Sequence, residues 1–294
     1  MTFLSSQIPA LDHNKNGHQK PYDVLEQPLG TTHHLRIVTV GAGISGLNMI
    51  RALRKGMTNY DHVVYEKNPE VGGTWYENRY PGCQCDHPSH NYQFTWNPNP
   101  RWSQFSANGP EIQEYILRCC EEEDMRSELK TFHQVIGAWW DASKSQWSLK
   151  VKNLATGVMI EDYCDFLLNA TGILNNWKWP DIPGLKDFNG DLIHSAAWQE
   201  NFNYQGKRVA VVGNGSSGVQ IVPAIQPAPP QTERMLKGAS AEVMQSAQMD
   251  GDKFTPEQME RFEKDRDYYR SFIKATEEQV NARFRTVRIP HTLP

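Results

Sequence analysis

Leu35-Arg36-Ile37-Val38-Thr39-Val40-Gly41-Ala42-Gly43-Ile44-Ser45-Gly46-Leu47 is the stretch that decides the fold. Its first six residues are rich in β-branched side chains, with no polar break after Arg36, the pattern of a buried parallel strand. Ile44, Leu47, Ile50 and Leu53 then recur at helical spacing up to Gly56. The glycines stand between strand and helix. Gly41 permits the tight turn, Gly43 lets the backbone approach a pyrophosphate, and Gly46 lets the helix pack close to the strand. The helix N-terminus adds unpaired N–H groups and a positive dipole end. His62 to Glu66 reads as the next strand, and Glu66 stands 20 positions after Gly46. An acid there accepts hydrogen bonds from a ribose diol and disfavours a 2′-phosphate. Gly41, Gly43, Ser45, Gly46 and Glu66 are therefore candidates for a site that takes FAD or NAD rather than NADP.

A second unit follows the same logic. Arg208 to Val212 reads as a strand, and Gly213-Asn214-Gly215-Ser216-Ser217-Gly218 as its turn, with a short helix ending by Pro227. Ser216 and Ser217 offer hydroxyls to a phosphate. Two such turns in one chain suggest electron transfer between two dinucleotides. A full unit supplies another strand about 20 residues on. Ala228 to Asp250 holds almost no β-branched or aromatic residues, so the second unit reads as incomplete.

Between the two turns, Val71 to Arg101 is rich in Gly, Pro, Trp and Tyr without periodicity, as expected of a ligand-covering loop. Pro110 to Glu123 reads as a helix. Phe132 to Trp140, Trp147 to Lys152 and Val158 to Leu168 read as a three-stranded meander. Thr255-Pro256-Glu257-Gln258 is a capping box opening a helical stretch punctuated by Met259, Phe262, Tyr269, Phe272 and Phe284. The expected fold is α/β, with two Rossmann-like dinucleotide-binding units, a β-meander insertion and a helical C-terminal segment. The expected organisation is a loose arm over 1–34, an FAD-binding domain over 35–180 and an incomplete NADPH-binding domain over 181–294.

With 294 residues and 38% hydrophobic side chains the chain can bury a sizeable core, and a net charge of -4, spread along its length, gives no support to a nucleic-acid or membrane-surface role. No apolar run approaches the roughly 20 residues of a membrane helix. The polar first 34 residues lack the apolar segment of a signal peptide. The five cysteines include Cys83 and Cys85, but no second cluster faces that pair, so thiols in a reducing compartment, by default the cytoplasm, are expected rather than a metal site.

Gly72-Gly73-Thr74-Trp75-Tyr76-Glu77-Asn78-Arg79-Tyr80-Pro81-Gly82-Cys83-Gln84-Cys85-Asp86 resembles the long flavin-side fingerprint of Baeyer–Villiger monooxygenases. Phe188-Asn189-Gly190-Asp191-Leu192-Ile193-His194-Ser195-Ala196-Ala197-Trp198 resembles their F-x-G-x-x-x-H-x-x-x-W signature, although Gln199 stands where the family has Pro or Asp. Ala170-Thr171-Gly172 resembles a strand end shared with the wider flavin-containing monooxygenases. These motifs span about two thirds of the chain. The resemblance implies FAD and NADPH as cofactors, dioxygen and a small organic molecule as substrates, and oxygen insertion into a ketone or oxidation of a heteroatom. It implies that Gly73, Thr74 and Trp75 line the flavin and that Tyr92 contacts FAD. It implies that the Val135 backbone meets the adenine and that Asp86 lies near flavin and nicotinamide, as the catalytic candidate. Gly213, Asn214, Gly215, Ser216, Ser217 and Gly218 would form the NADPH half-site. His194 and Trp198 would lie at a hinge between the two domains; no carboxylate is paired with His194 by spacing. Family members are longer. Their 2′-phosphate-binding arginine pattern is not matched at Arg234 or Lys237, and the arginine they place beside the flavin falls past Pro294, so a C-terminally truncated member is expected. A non-catalytic FAD/NADP-binding remnant is the alternative. A flavin-dependent disulfide reductase is the third reading, and Cys83-Gln84-Cys85 does not fit its C-x-x-C pattern.

Overall fold

The structure, a computed structural model, describes residue 28, residues 30–226 and residues 252–286. Its centre is strand β1, Leu35–Val40, buried from Ile37 to Thr39. β1 pairs in parallel with β2, Tyr60–Tyr65, on one side and with β7, Phe166–Asn169, on the other. A two-residue strand β3, Leu129–Lys130, completes the order β3-β2-β1-β7. Helix α1, Ile44–Gly56, crosses between β1 and β2 and buries Gly46, Leu47, Ile50 and Leu53, the face that the sequence spacing marks. Its last turn carries Arg54 and Lys55, which suit the negative end of the helix dipole.

The meander is an antiparallel sheet of β4, His133–Asp141, β5, Gln146–Asn153, and β6, Met159–Cys164. Val135, Leu149, Val151 and Cys164 pack on Val38, Val63 and Tyr65 and so cover one face of the parallel sheet. Arg36 fixes the junction. Its guanidinium grips both oxygens of Asp162 at 2.8 Å, and Tyr65 donates to the same carboxylate at 2.7 Å.

One expected strand divides. Val158 to Leu168, a single strand by its sequence pattern, is β6 in the meander followed by β7 in the parallel sheet. Asp165 makes the break. Its carboxylate accepts the Arg36 N–H at 2.7 Å and Gln146 Nε2 at 3.0 Å, and its own N–H donates to the Arg36 carbonyl, so the chain leaves one sheet as it enters the other.

The second expected strand, Arg208 to Val212, does not form. A β-branched run becomes a strand only where a neighbour supplies hydrogen bonds, and no strand lies beside it among the described residues. The turn and its helix do form, as α4, Ser216–Ile225, which carries Pro223 internally. The N-terminal arm before Pro28, the Ala228 to Asp250 stretch, Arg234 and Lys237 fall outside the described residues.

Helix α2 is the single turn Thr74–Glu77, and α3, Gly109–Glu122, starts one residue before its expected Pro110, with Asn108 accepting from the Glu111 N–H as cap. After residue 252 come α5, Pro256–Lys264, opened by the expected Thr255/Gln258 capping box, and α6, Arg266–Thr286. These helices follow the second glycine turn in the chain, yet Phe254, Phe262, Tyr269 and Phe272 pack into the first core with Trp102 and Phe105. Each buried phenylalanine contributes about 1.5–3 kcal/mol, enough to hold such a segment in place. No helix among the described residues is long and apolar enough to cross a membrane.

Candidate dinucleotide site

The C-terminal ends of β1, β2 and β7 open into one cavity of about 460 Å³. Crevices of parallel sheets form on this side, because helix N-termini and connecting loops meet there. Gly41 leaves β1 with φ +103, a conformation closed to most side chains, and donates its N–H to the Tyr65 carbonyl at 2.8 Å. A Cβ at Gly41 would stand 2.6 Å from the Ala170 carbonyl oxygen. The A-T-G strand end therefore presses on the glycine turn and forms the opposite rim. A Cβ at Gly46 would fall on the Gly41 carbonyl oxygen, so the third glycine serves helix packing. Gly43 differs. A Cβ there would meet nothing nearer than the Gly73 Cα at 3.6 Å. Its missing side chain leaves the cavity floor open to a ligand rather than relieving a clash inside the protein.

Glu66 is 4% exposed at the end of the cavity. One oxygen accepts the Ala42 N–H at 2.7 Å and the other the Asn68 N–H at 2.8 Å. Each oxygen keeps a second acceptor direction, which is what a ribose diol needs. Burial pushes the Glu66 carboxyl above its usual range, and the two backbone donors oppose that rise. Gly72, Gly73, Thr74 and Trp75 line the cavity beside the glycine turn, with Tyr92, whose hydroxyl accepts from Trp75 Nε1 at 3.1 Å. Val135 lines the far end. Ser45 joins the lining at the helix N-terminus.

The second turn repeats the first in backbone conformation. Gly213 has φ +118 against +103 at Gly41. The helix cap Gly215 has φ -83 and ψ -179, against -76 and -169 at Gly43. A Cβ at Gly218 would stand 2.6 Å from the Gly213 carbonyl oxygen. Asn214, Ser216 and Ser217 complete the turn, in which Gly213 to Ser216 are exposed and Ser217 and Gly218 half-buried.

A family model described as an NAD(P)-binding Rossmann-like domain matches residues 39–108. An FAD-binding monooxygenase, tazF, of Aspergillus terreus is 39% identical over 260 residues, 85% of this chain and 46% of that protein. A Baeyer–Villiger monooxygenase of Streptomyces coelicolor is 39% identical over 196 residues, 66% of this chain and 36% of that protein. Among solved structures, an oxidized steroid monooxygenase bound to NADP superimposes with a TM-score of 0.56 at 34% identity, covering 65% of this chain and 36% of that one. A closed cyclohexanone monooxygenase gives 0.57 at 28% identity, covering 74% and 45%. The chain belongs to the group B flavoprotein monooxygenases of the Baeyer–Villiger kind. It spans under half the length of these relatives.

In this group B monooxygenase chain, the remaining expected residues lie apart from the cavity. Asp86 does not line it. Its side chain is 66% exposed, and its carboxyl lies 2.8 Å from His87 Nδ1. Cys85, Asp86 and His87 bring three ligand-type atoms within 4.8 Å of one another, a grouping that spacing in the sequence did not suggest. Burial pushes the Cys85 thiol up to about 11, which works against the thiolate a metal would require. His194 stacks on Trp177 with ring centroids 4.4 Å apart, meets Trp179 edge-on at 5.5 Å, and accepts the Ala196 N–H on Nδ1. That is a packed, partnered histidine that forms no ion pair with a carboxylate among the described residues. Trp198 packs against the main core and meets Phe202 edge-on.

The A-T-G motif, Ala170 to Gly172, joins the lining, and with it stand residues that sequence reasoning does not single out: Lys67, Gln134, Ile173 and Asn175. Lys67 holds Asn175 on the cavity rim at 2.7 Å and Glu77 at the end of α2 at 2.9 Å. The signal was present in the strand order. A strand parallel to β1 must deliver its following loop to the same edge as Gly41, and Asn169 pairs in register with Val40.

Proposed function

We propose that this chain binds FAD in the cavity at Gly41, Gly43, Gly46 and Glu66, binds NADPH at the Gly213–Gly218 turn, and acts as a monooxygenase. Its reaction transfers one atom of dioxygen to a small organic molecule, a ketone or a soft heteroatom. The observation that carries the reading is the cavity itself: an open floor at Gly43 and a buried, half-satisfied carboxylate at Glu66, walled by the Gly73–Trp75 fingerprint. The residues fit a dinucleotide, because Gly43, unlike Gly41 and Gly46, lines the cavity without a clash that its missing side chain would relieve. FAD, when bound, supplies the redox chemistry with oxygen. The chain's own residues bind and orient it. The α1 N-terminus faces the pyrophosphate, Glu66 takes the ribose hydroxyls, the Val135 backbone meets the adenine, and Thr74, Trp75 and Tyr92 wall the flavin end and exclude water. Asp86, at the end of the same loop, is the catalytic candidate on the nicotinamide side, and His194 and Trp198 position the segment between the two turns. The proposed domains are an FAD-binding unit of residues 35–180, on which the helical segment 252–286 packs, and a second unit from 181 that carries the other glycine turn. All five cysteines are free and buried, which suits a reducing compartment such as the cytoplasm.

The test is flavin content after purification, followed by NADPH consumption with a panel of ketones and thioethers and product analysis. Flavin retention with one oxygenated product per NADPH supports the reading. Purification without flavin, and no flavin uptake on reconstitution, refutes it.

A further inference from the structure

The cavity explains why Gly73 to Trp75 are present, but not why the loop continues as Tyr80-Pro81-Gly82-Cys83-Gln84. The structure supplies a reason at the other end of the loop. Gly82, with φ +76, lies directly under α4; a Cβ there would stand 2.6 Å from the Gln220 carbonyl oxygen and 2.9 Å from Ala224 Cβ. The Tyr80 hydroxyl donates to Gln220 Oε1 at 2.8 Å, and Gln220 Nε2 donates to the Gln84 carbonyl at 3.0 Å. One amide is thus held at both ends by the same loop. The Ser217 hydroxyl also reaches the Tyr80 oxygen, and Ile221 is buried in the core beneath. Every one of these contacts falls on the helix that carries the second glycine turn. That helix has no strand in front of it to hold it. A Rossmann helix normally takes its position from the strand that precedes it; here the flavin-side loop does that work.

We propose that Tyr80, Gly82 and Gln220 form a latch that sets the position of the second glycine turn relative to the flavin cavity, with Gln220 as a positioning residue for transfer between the two dinucleotides. The positioning role rests on the reading of Gly213–Gly218 as the NADPH turn; the latch does not. Gln220 does not line the flavin cavity, and it follows the Gly213–Gly218 turn in α4. It acts through the direction of α4, so its loss changes the geometry of approach more than the affinity of either site.

The test compares full-length wild type with Gln220→Leu, which keeps the shape and removes both hydrogen bonds, and with Tyr80→Phe. The first measurement is amide hydrogen exchange. Gln220→Leu is expected to raise exchange across Ser216–Ile225 by about tenfold, with α1 unchanged, as befits local opening on losing two partly buried hydrogen bonds. Tyr80→Phe, which loses one, is expected to show a smaller rise. The second measurement is flavin reduction by NADPH in rapid mixing. The limiting rate is expected to fall by about ten- to a hundredfold, as misplacement by an ångström does. FAD content should be unchanged and the NADPH dissociation constant should stay within about threefold. Unchanged exchange in Gln220→Leu overturns the latch. Raised exchange with an unchanged limiting rate overturns its positioning role. A wild type that NADPH does not reduce overturns the NADPH reading and the positioning role with it, while the exchange measurement still decides the latch.

Discussion

Acidification should release the helical segment 252–286 through a single histidine. His90 is 2% exposed, and its ring is enclosed by Phe254, Phe262, Tyr269 and Phe272 at centroid distances of 4.9, 5.0, 5.4 and 5.3 Å. Its Nε2 has no hydrogen-bond partner among the described residues. Burial alone pushes its pKa down to about 3, against about 6.5 in an unfolded chain. The unfolded state therefore binds a proton near pH 6.5 and the folded state does not until near pH 3. Stability from this group is complete above pH 6.5 and falls as pH drops through that window. At pH 4.5 the gap is about two pH units, or about 3 kcal/mol. Glu128, Asp162 and Asp165, all held below their usual range by their hydrogen-bond donors, add losses of the same sign at lower pH. A His90→Phe variant separates the terms, because the carboxylates remain and the ring does not titrate. Urea unfolding followed by tryptophan fluorescence at pH 7.5 and pH 4.5 measures both. Wild type should lose about 3 kcal/mol more than the variant between the two pH values. Equal losses would refute the reasoning and would mean that the four ring faces stabilise the imidazolium as much as burial penalises it.

Gly43→Ala and Gly46→Ala should part company: the first keeps the wild-type melting temperature but purifies without flavin, while the second lowers both, because only its Cβ strikes the protein's own backbone. Glu66→Gln should weaken FAD binding by about ten- to a hundredfold in fluorescence titration, since its amide group faces the Ala42 or Asn68 N–H with a donor. Asp162→Asn should cost about 1–3 kcal/mol in urea unfolding, as the half-buried Arg36 loses its two-oxygen partner; a midpoint equal to wild type would show the meander to be held by packing alone.

The first glycine turn was legible because three signals of different origin agree: a β-branched run, helical spacing, and an acid at the next strand end. The second turn shows the limit of one signal. Arg208 to Val212 has strand composition, but strand formation depends on a neighbour, and composition does not reveal one. The division at Asp165 was equally hidden, since the deciding bonds go to Arg36 and Gln146, one of them 129 positions away. The His90 enclosure joins a loop near residue 90 to rings beyond residue 252. Periodicity along either segment marks an apolar face but not its partner. The cavity rim from Ala170 to Asn175 was hidden for a milder reason: the A-T-G motif was visible, but its nearness to Gly41 follows from strand order.

Strand β7 ends the parallel sheet, and its outer row of backbone groups has no strand partner among the described residues. Phe166 at its start is 53% exposed, and Ile173 and Leu174 just past its end are 97% and 88% exposed. An open edge flanked by greasy side chains is a template for association, and nothing on β7 itself, Phe-Leu-Leu-Asn, carries the charge or proline that blunts such edges. The colloidal behaviour of the chain follows from this. Self-association should rise with concentration and fall when Phe166 is replaced by lysine, with light scattering as the measure, even though Phe166 does not contribute to the buried core.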